Sequence, residues 1–239
     1  MIPRPFYIAH RGASGHEPEN TLLSFSRALE LGASWVEFDV RVVEGEPIVF
    51  HDRSLQRMAN VPGVVEKQTL KRIRSLKLAK DQSIPLLSEV LDLLRGKACA
   101  QIELKGVGSG VVTALALLKA LQEGWDASRF LVSSFDHSEL LAFRVTAPVF
   151  PIGLLTYGYP MACVENAQKI GAVSVHLHLD AVTEDRVKQI HAAGLKVFVY
   201  TVNDPADMRE LATLGVDGIF TDFPERAVFL SGDPTKRAL

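Results

Sequence analysis

Trp35-Val36-Glu37-Phe38-Asp39-Val40 is an extended run whose two faces carry different chemistry. Residues two apart share a face of a strand, so Glu37 and Asp39 point one way while Val36, Phe38 and Val40 point the other. The apolar parity suits packing on helices and the acidic parity looks into a barrel. Gln101-Ile102-Glu103-Leu104-Lys105 repeats the arrangement, with Gln101, Glu103 and Lys105 on one side and Ile102 and Leu104 on the other. Outward from these two segments, short apolar runs suited to buried parallel strands recur at 6–10, 35–42, 99–104, 130–134, 150–155, 173–178, 196–201 and 218–221. Stretches of helical periodicity lie between them, for instance 19–31, 87–94, 111–122, 183–192 and 205–214. Gly32, Gly194 and Gly215 stand just past helix ends, and Thr183 and Asp204 stand where N-caps belong. Eight such units in 239 residues, close to the roughly 250 at which a barrel closes, predict an α/β chain folded as a (β/α)8 TIM barrel, a single domain over 1–239. No glycine-rich phosphate loop follows the first strand, which removes the main signal for a nucleotide-binding open sheet. The one irregular stretch, 52–85, is long for a βα connection and rich in basic residues, and it predicts a short insertion after the second strand, an extra hairpin or a small unit over the barrel mouth.

Composition narrows the classes. A chain 47% apolar and 23% charged sits at globular averages, and a net charge of -2 without a basic stripe argues against nucleic acid as a partner. Only Cys99 and Cys163 are present and they lack CxxC spacing, so neither a disulfide framework nor a thiolate zinc site is expected, and a reducing cytoplasm fits. Pro3, Arg4 and Pro5 interrupt the first residues, so no apolar leader is expected. The uncharged stretch 145–164 is broken by Pro148, Pro151, Pro160, Gly153 and Gly158 and reads as loop, buried strand, loop, with no stable membrane insertion. The composition leaves the oligomeric state open.

Several residues have chemistry to offer. The first strand ends in His10-Arg11-Gly12, and a histidine and an arginine beside a glycine at the C-terminal end of a barrel strand suit an anionic substrate. The plainer reading is a turn with a helix cap, Asn20 supplying the cap. Burying Glu37 beside Asp39 is costly unless a cation or protons compensate. The pair therefore points to a divalent metal, the alternative being a solvated rim with an ion pair to Arg41 or Lys105. Glu103 adds a third carboxylate and Lys105 a cation. Three oxygen ligands without cysteine match Mg²⁺ or Ca²⁺ better than structural zinc. A second extended run, Pro47-Ile48-Val49-Phe50, stops at His51-Asp52. Two histidines beside an acidic metal site supply the base, the acid and the charge that phosphodiester cleavage requires. His176 and His178 alternate near the sixth strand and could face the mouth, whereas His16, His137 and His191 read as loop or helix-surface residues.

Taken in order, His10-Arg11-Gly12 with Pro18-Glu19-Asn20-Thr21, Glu37-x-Asp39, His51-Asp52, Ile102-Glu103-Leu104-Lys105, Thr201-Val202-Asn203 and Asp217-Gly218-Ile219-Phe220-Thr221-Asp222 resemble the glycerophosphodiester phosphodiesterase family over nearly the whole chain. The resemblance implies that Glu37, Asp39 and Glu103 bind one divalent cation, that His10 and His51 act as acid and base, and that Arg11 and Lys105 hold the phosphate, with Glu19, Asn20 and Tyr200 in support. It implies cleavage of a small glycerophosphodiester to sn-glycerol 3-phosphate and an alcohol, the glycerol 2-hydroxyl attacking phosphorus and water opening the cyclic phosphate. Tyr200 stands where the family often has tryptophan, and Val42 to Pro47 and Met58-Ala59 also depart from its pattern, which bears on substrate range. Two rivals follow: a lysophospholipase D-like enzyme, disfavoured by the lack of a basic, aromatic docking helix, and a non-catalytic phosphodiester-binding barrel, which would have no use for an acid and a base.

Overall fold

The computed structural model describes residues 5–226. Pro3, Arg4 and both ends of the 1–239 span lie outside the described residues. The strands are β1 (Phe6–Ala9), β2 (Trp35–Val43), β3 (Glu46–Val49), β4 (Cys99–Leu104), β5 (Phe130–Ser134), β6 (Ile152–Thr156), β7 (Ser174–His178), β8 (Lys196–Tyr200) and β9 (Gly218–Thr221). Eight of them pair in parallel in the order β1-β9-β8-β7-β6-β5-β4-β2, and pairing of β1 with β2 closes the cylinder. The ninth, β3, lies antiparallel on β2 and outside the ring. Glu44 and Gly45, both with positive φ, turn that hairpin, as tight two-residue hairpin turns require.

The alternation read from the sequence sets the layers. Val36, Phe38 and Val40 face outward into the main core between strands and helices, where Phe25 and Phe38 pack with ring centres 5.7 Å apart. Inside the barrel, Ile8, Trp35, Cys99, Leu131, Phe198 and Phe220 form a separate apolar plug. The polar mouth stands on that plug, so its charges are backed by dry protein rather than by water.

The helices are α1 (Leu22–Glu30), α2 (Gln56–Ala59), α3 (Leu70–Ser75), α4 (Leu87–Leu94), α5 (Ser109–Gln122), α6 (His137–Thr146), α7 (Cys163–Lys169), α8 (Glu184–Ala192) and α9 (Pro205–Leu214). Thr183 and Asp204 cap α8 and α9 as expected. α1 starts three residues later than the periodic stretch 19–31, because the cap is Thr21, whose hydroxyl accepts from Ser24 N while Ser24 Oγ accepts from Thr21 N. α6 and α7 fall outside the five periodic stretches: α6 buries only Leu140 and Phe143, and α7 only Cys163 and Ala167. They also shorten the loops read around the strand in 145–164, since α6 runs to Thr146 and α7 begins at Cys163.

The stretch 52–85 is not a hairpin. It holds α2, α3 and two 3₁₀ turns. Leu55, Val65, Ile73, Leu78 and Ile84 form a small core there with Val43, Ile48 and Phe50 of the β2–β3 hairpin. Ion pairs of Arg41 with Glu66, Arg74 with Glu89 and Lys80 with Glu17 tie this unit to the barrel. Both cysteines are buried and unpaired, and burial pushes each thiol up to about 11. Among the described residues no helix is long and apolar enough to cross a membrane.

Candidate active site

The parallel register of β2 and β4 sets Glu37 beside Gln101 and Asp39 beside Glu103, so the acidic parities of the two strands meet. One carboxylate oxygen from each of Glu37, Asp39 and Glu103 lies within 4.8 Å of the others. Glu37 and Asp39 are buried, which excludes the solvated rim, and Arg41 turns instead to Glu66 and the His51 carbonyl. Burial, joined by the Asp39 and Glu103 charges, raises Glu37 well above the carboxylate range. Burial with the nearby Asp39 likewise raises Glu103 to about 7. Asp39 goes the other way: its burial opposes ionisation, but Lys105, Arg11 and His51 and a hydrogen bond from Asn20 hold it well below the usual range. Lys105 Nζ lies 2.5 Å from Glu103 Oε1 and 3.4 Å from Asp39 Oδ1, and Arg11 Nε lies 3.4 Å from Asp39 Oδ2. Two fixed cations thus face three carboxylates, and Asp39 Oδ1 is buried without a hydrogen bond. An all-oxygen set of three carboxylates, two of them resisting ionisation because burial and their neighbours' charges oppose it, together with a buried oxygen lacking a donor, fits a hard divalent cation.

The turn after β1 brings the second group. Arg11 adopts a left-handed backbone (φ 54), which aims its N–H at Glu37 Oε2, 2.7 Å away. Its Nη1 donates to Glu19 Oε1 at 2.8 Å. Gly12 follows at φ 81, where a Cβ would lie 2.4–2.8 Å from Ser24, so only glycine lets the turn sit on α1. Asn20 is not the helix cap. It too is left-handed (φ 56), and its side chain donates to Asp39 Oδ2 at 2.8 Å and accepts from Asp39 N at 3.3 Å.

Each histidine rests on a carboxylate. His51 Nδ1 donates to Asp52 Oδ1 at 2.6 Å, and His10 Nδ1 donates to Asp222 Oδ1 at 2.7 Å. A carboxylate only accepts, so both Nδ1 atoms carry protons and each Nε2 is left for another partner. His10 Nε2 lies 4.0 Å from Glu37 Oε2. Burial, with Lys105 and Arg11 adding to it against Asp39 and Asp52, lowers His51 below the ordinary histidine value. Asp222 is itself held by Ser14 Oγ at 2.8 Å and Asn203 Nδ2 at 2.7 Å. Arg57 of α2 donates to both Asp52 and Glu19. No local pattern in the sequence assigns a role to Asp222, Ser14, Asn203 or Arg57. Asn203 and Asp222 did stand inside the C-terminal motifs, and the only signal for pairing Asp222 with His10 is the closure of the barrel.

Across the mouth, Tyr200 donates to the Thr156 carbonyl at 2.7 Å and meets Phe135 edge-on at 5.8 Å. Phe135 in turn stacks on Tyr157 at 4.1 Å, and Lys105 Nζ lies 5.7 Å from its ring centre. An apolar wall therefore borders the charged floor. His176 does not reach the mouth: it is fully buried in the barrel, stacked on Phe198 and bonded to Ser174 Oγ at 2.9 Å. His178 sits at the strand end, half-buried beside Tyr200 and Asp180. His16, His137 and His191 make local contacts with Glu225, the Leu155 carbonyl and Asp217.

Residues 10–226 match the glycerophosphoryl diester phosphodiesterase family. A glycerophosphodiester phosphodiesterase of Caldanaerobacter subterraneus subsp. tengcongensis is 37% identical, the match covering 93% of this chain and 96% of that protein. One from Bacillus altitudinis is 34% identical over 92% of this chain and 96% of that protein. Among solved structures, an Oleispira antarctica phosphodiesterase in complex with its product sn-glycerol-3-phosphate superposes with a TM-score of 0.89 at 30% identity, covering 96% of this chain and 98% of the other. With the fold, the order of the motifs and these relatives in agreement, the chain belongs to the glycerophosphoryl diester phosphodiesterase family.

Proposed function

We propose that this protein hydrolyses small glycerophosphodiesters to sn-glycerol 3-phosphate and an alcohol, using His10 and His51 as acid and base and a divalent cation, Mg²⁺ or Ca²⁺, held by Glu37, Asp39 and Glu103. The observation that carries the reading is the three-carboxylate cluster flanked by two imidazoles, each with its Nδ1 engaged by its own carboxylate. A cation bound there would supply positive charge for the phosphoryl oxygens. Arg11 and Lys105, already ion-paired within the cluster, hold the phosphate from the sides, and Glu19 and Asn20 steady Arg11 and Asp39. One imidazole takes the proton of the glycerol 2-hydroxyl as its oxygen bonds to phosphorus, while the other gives a proton to the departing alcohol. Water then opens the cyclic phosphate with the roles reversed. Tyr200, with Phe135 and Tyr157, lines the side where the organic part of the substrate lies. The barrel of the described residues acts in the cytoplasm, with a small-molecule substrate as its partner.

The test is product identification with glycerophosphocholine, glycerophosphoethanolamine and lysophosphatidylcholine, each with Mg²⁺, Ca²⁺ or chelator. Glycerol 3-phosphate appears from the first two only with a divalent ion, and Glu103→Gln abolishes its release while the circular dichroism spectrum stays unchanged. Release that survives chelation, or an active Glu103→Gln, removes the metal role. Turnover of lysophosphatidylcholine alone makes the chain a lysophospholipase D-like enzyme.

A further inference from the structure

Arg57 sits in the 52–85 unit, on the one-turn helix α2, outside the set of groups that would touch substrate. Its guanidinium makes two forks. Nε donates to Asp52 Oδ2 at 2.6 Å and Nη2 to Asp52 Oδ1 at 2.8 Å. Nη1 donates to Glu19 Oε2 at 2.8 Å and Nη2 to Glu19 Oε1 at 2.7 Å. Those carboxylates are the partners of the two groups that matter most on this side of the mouth. Asp52 holds His51 Nδ1 at 2.6 Å, and Glu19 holds Arg11 Nη1 at 2.8 Å.

We propose that Arg57 is a positioning residue for the reaction: it locks Asp52 and Glu19 to each other, and so fixes His51 and Arg11 in one mutual orientation. The inference rests on the roles proposed above for those two side chains. Without a shared cation, Glu19 and Asp52 would repel each other, and each would be free to turn away from its partner. The guanidinium offsets both charges and sets both planes at once. A lysine supplies one charge but no fork, so it restores less of the geometry. The Arg57 side chain is 48% exposed, but two bidentate forks joined in one network are the geometry in which such pairs do add to folding, so placement is separated from stability by reading kinetics beside melting. The inserted unit thereby acts as a brace for the phosphate side of the site, reinforced by the Lys80–Glu17 pair at 2.6 Å on the same β1–α1 loop.

The experiment is a mutant cycle on the full-length enzyme with glycerophosphocholine and the cation that supports wild-type turnover. Arg57→Ala lowers kcat/KM by about ten- to a hundred-fold, the range for residues that orient a reacting group through a partner. The loss divides between a raised KM, from Arg11, and a lowered kcat, from His51, and it persists when the assay is run well below the melting midpoint of the variant. Arg57→Lys falls between, and added guanidinium ion restores part of the Arg57→Ala activity. In an Asp52→Ala, Glu19→Ala background, removing Arg57 costs nothing further, because the two carboxylates through which it acts are gone. An Arg57→Ala enzyme with wild-type kinetics overturns the proposal. So does an effect that stays undiminished in the double-mutant background, or an activity loss that tracks a lowered melting midpoint and resists guanidinium. A wild-type protein that forms no product with any cation overturns the functional reading itself, and this inference with it.

Discussion

At the level of single residues, Asn20 shows what a sequence leaves ambiguous. Asparagine favours helix caps and left-handed turns alike, and its place before α1 suits a cap. The side chain instead clasps Asp39, 19 residues away, through both amide atoms. Asn20→Ala leaves a buried carboxylate oxygen without its donor, a deficit of roughly 1–3 kcal/mol. On the metal role proposed for Asp39, activity falls about ten- to a hundred-fold, as for other partners of metal ligands, and half-maximal activity requires a higher cation concentration. Glu37, Asp39 and Glu103 were legible because strand parity is a local property. His51 and Asp52 are adjacent in the chain, so that pair was in view although its hydrogen bond was not. Asp222 is 212 residues from His10, and no local pattern connects them.

For the elements, local rules served best where each had a buried face and a capping residue. The strands carry near-continuous apolar runs, and α8 and α9 carry their caps at the expected positions. β3 looked like an isolated extended run because its partner choice depends on the turn at Glu44-Gly45. The small unit in 52–85 lacked period because its core is shared with the hairpin rather than formed by one helical face. The start of α1 is a sharper test. Thr21 accepts from Ser24 N at 3.2 Å and donates to the Pro18 carbonyl at 2.7 Å. Thr21→Val keeps the shape and removes both bonds, and a urea titration should show a loss of roughly 0.5–2 kcal/mol, the range for a missing N-cap.

On the scale of the whole molecule, the barrel interior makes stability depend on acidity. His176 is enclosed by Phe198, Phe220 and Ser174, and Gly153 makes room for it, since a Cβ there would lie 2.3 Å from Nε2. Burial lowers its pKa to about 3. As pH falls below the unfolded value of about 6.5, the unfolded chain takes up a proton that the folded chain refuses. The stability associated with a neutral His176 is therefore whole above that point and is lost progressively toward pH 3, by up to roughly 1.4 kcal/mol per pH unit. His176→Gln should flatten the acid limb of the stability profile, measured by urea unfolding at several pH values between the two. Equal slopes for the two proteins would show that His176 is protonated inside the fold.

In the same cylinder the first and last strands, β1 and β9, lie side by side, and their C-terminal ends bring His10 and Asp222 to one another. A nascent chain that ends before Gly218 lacks both the strand that completes the wall and the Asp222 that holds His10. Competence for chemistry therefore arrives late in synthesis, in the same event that shuts the ring.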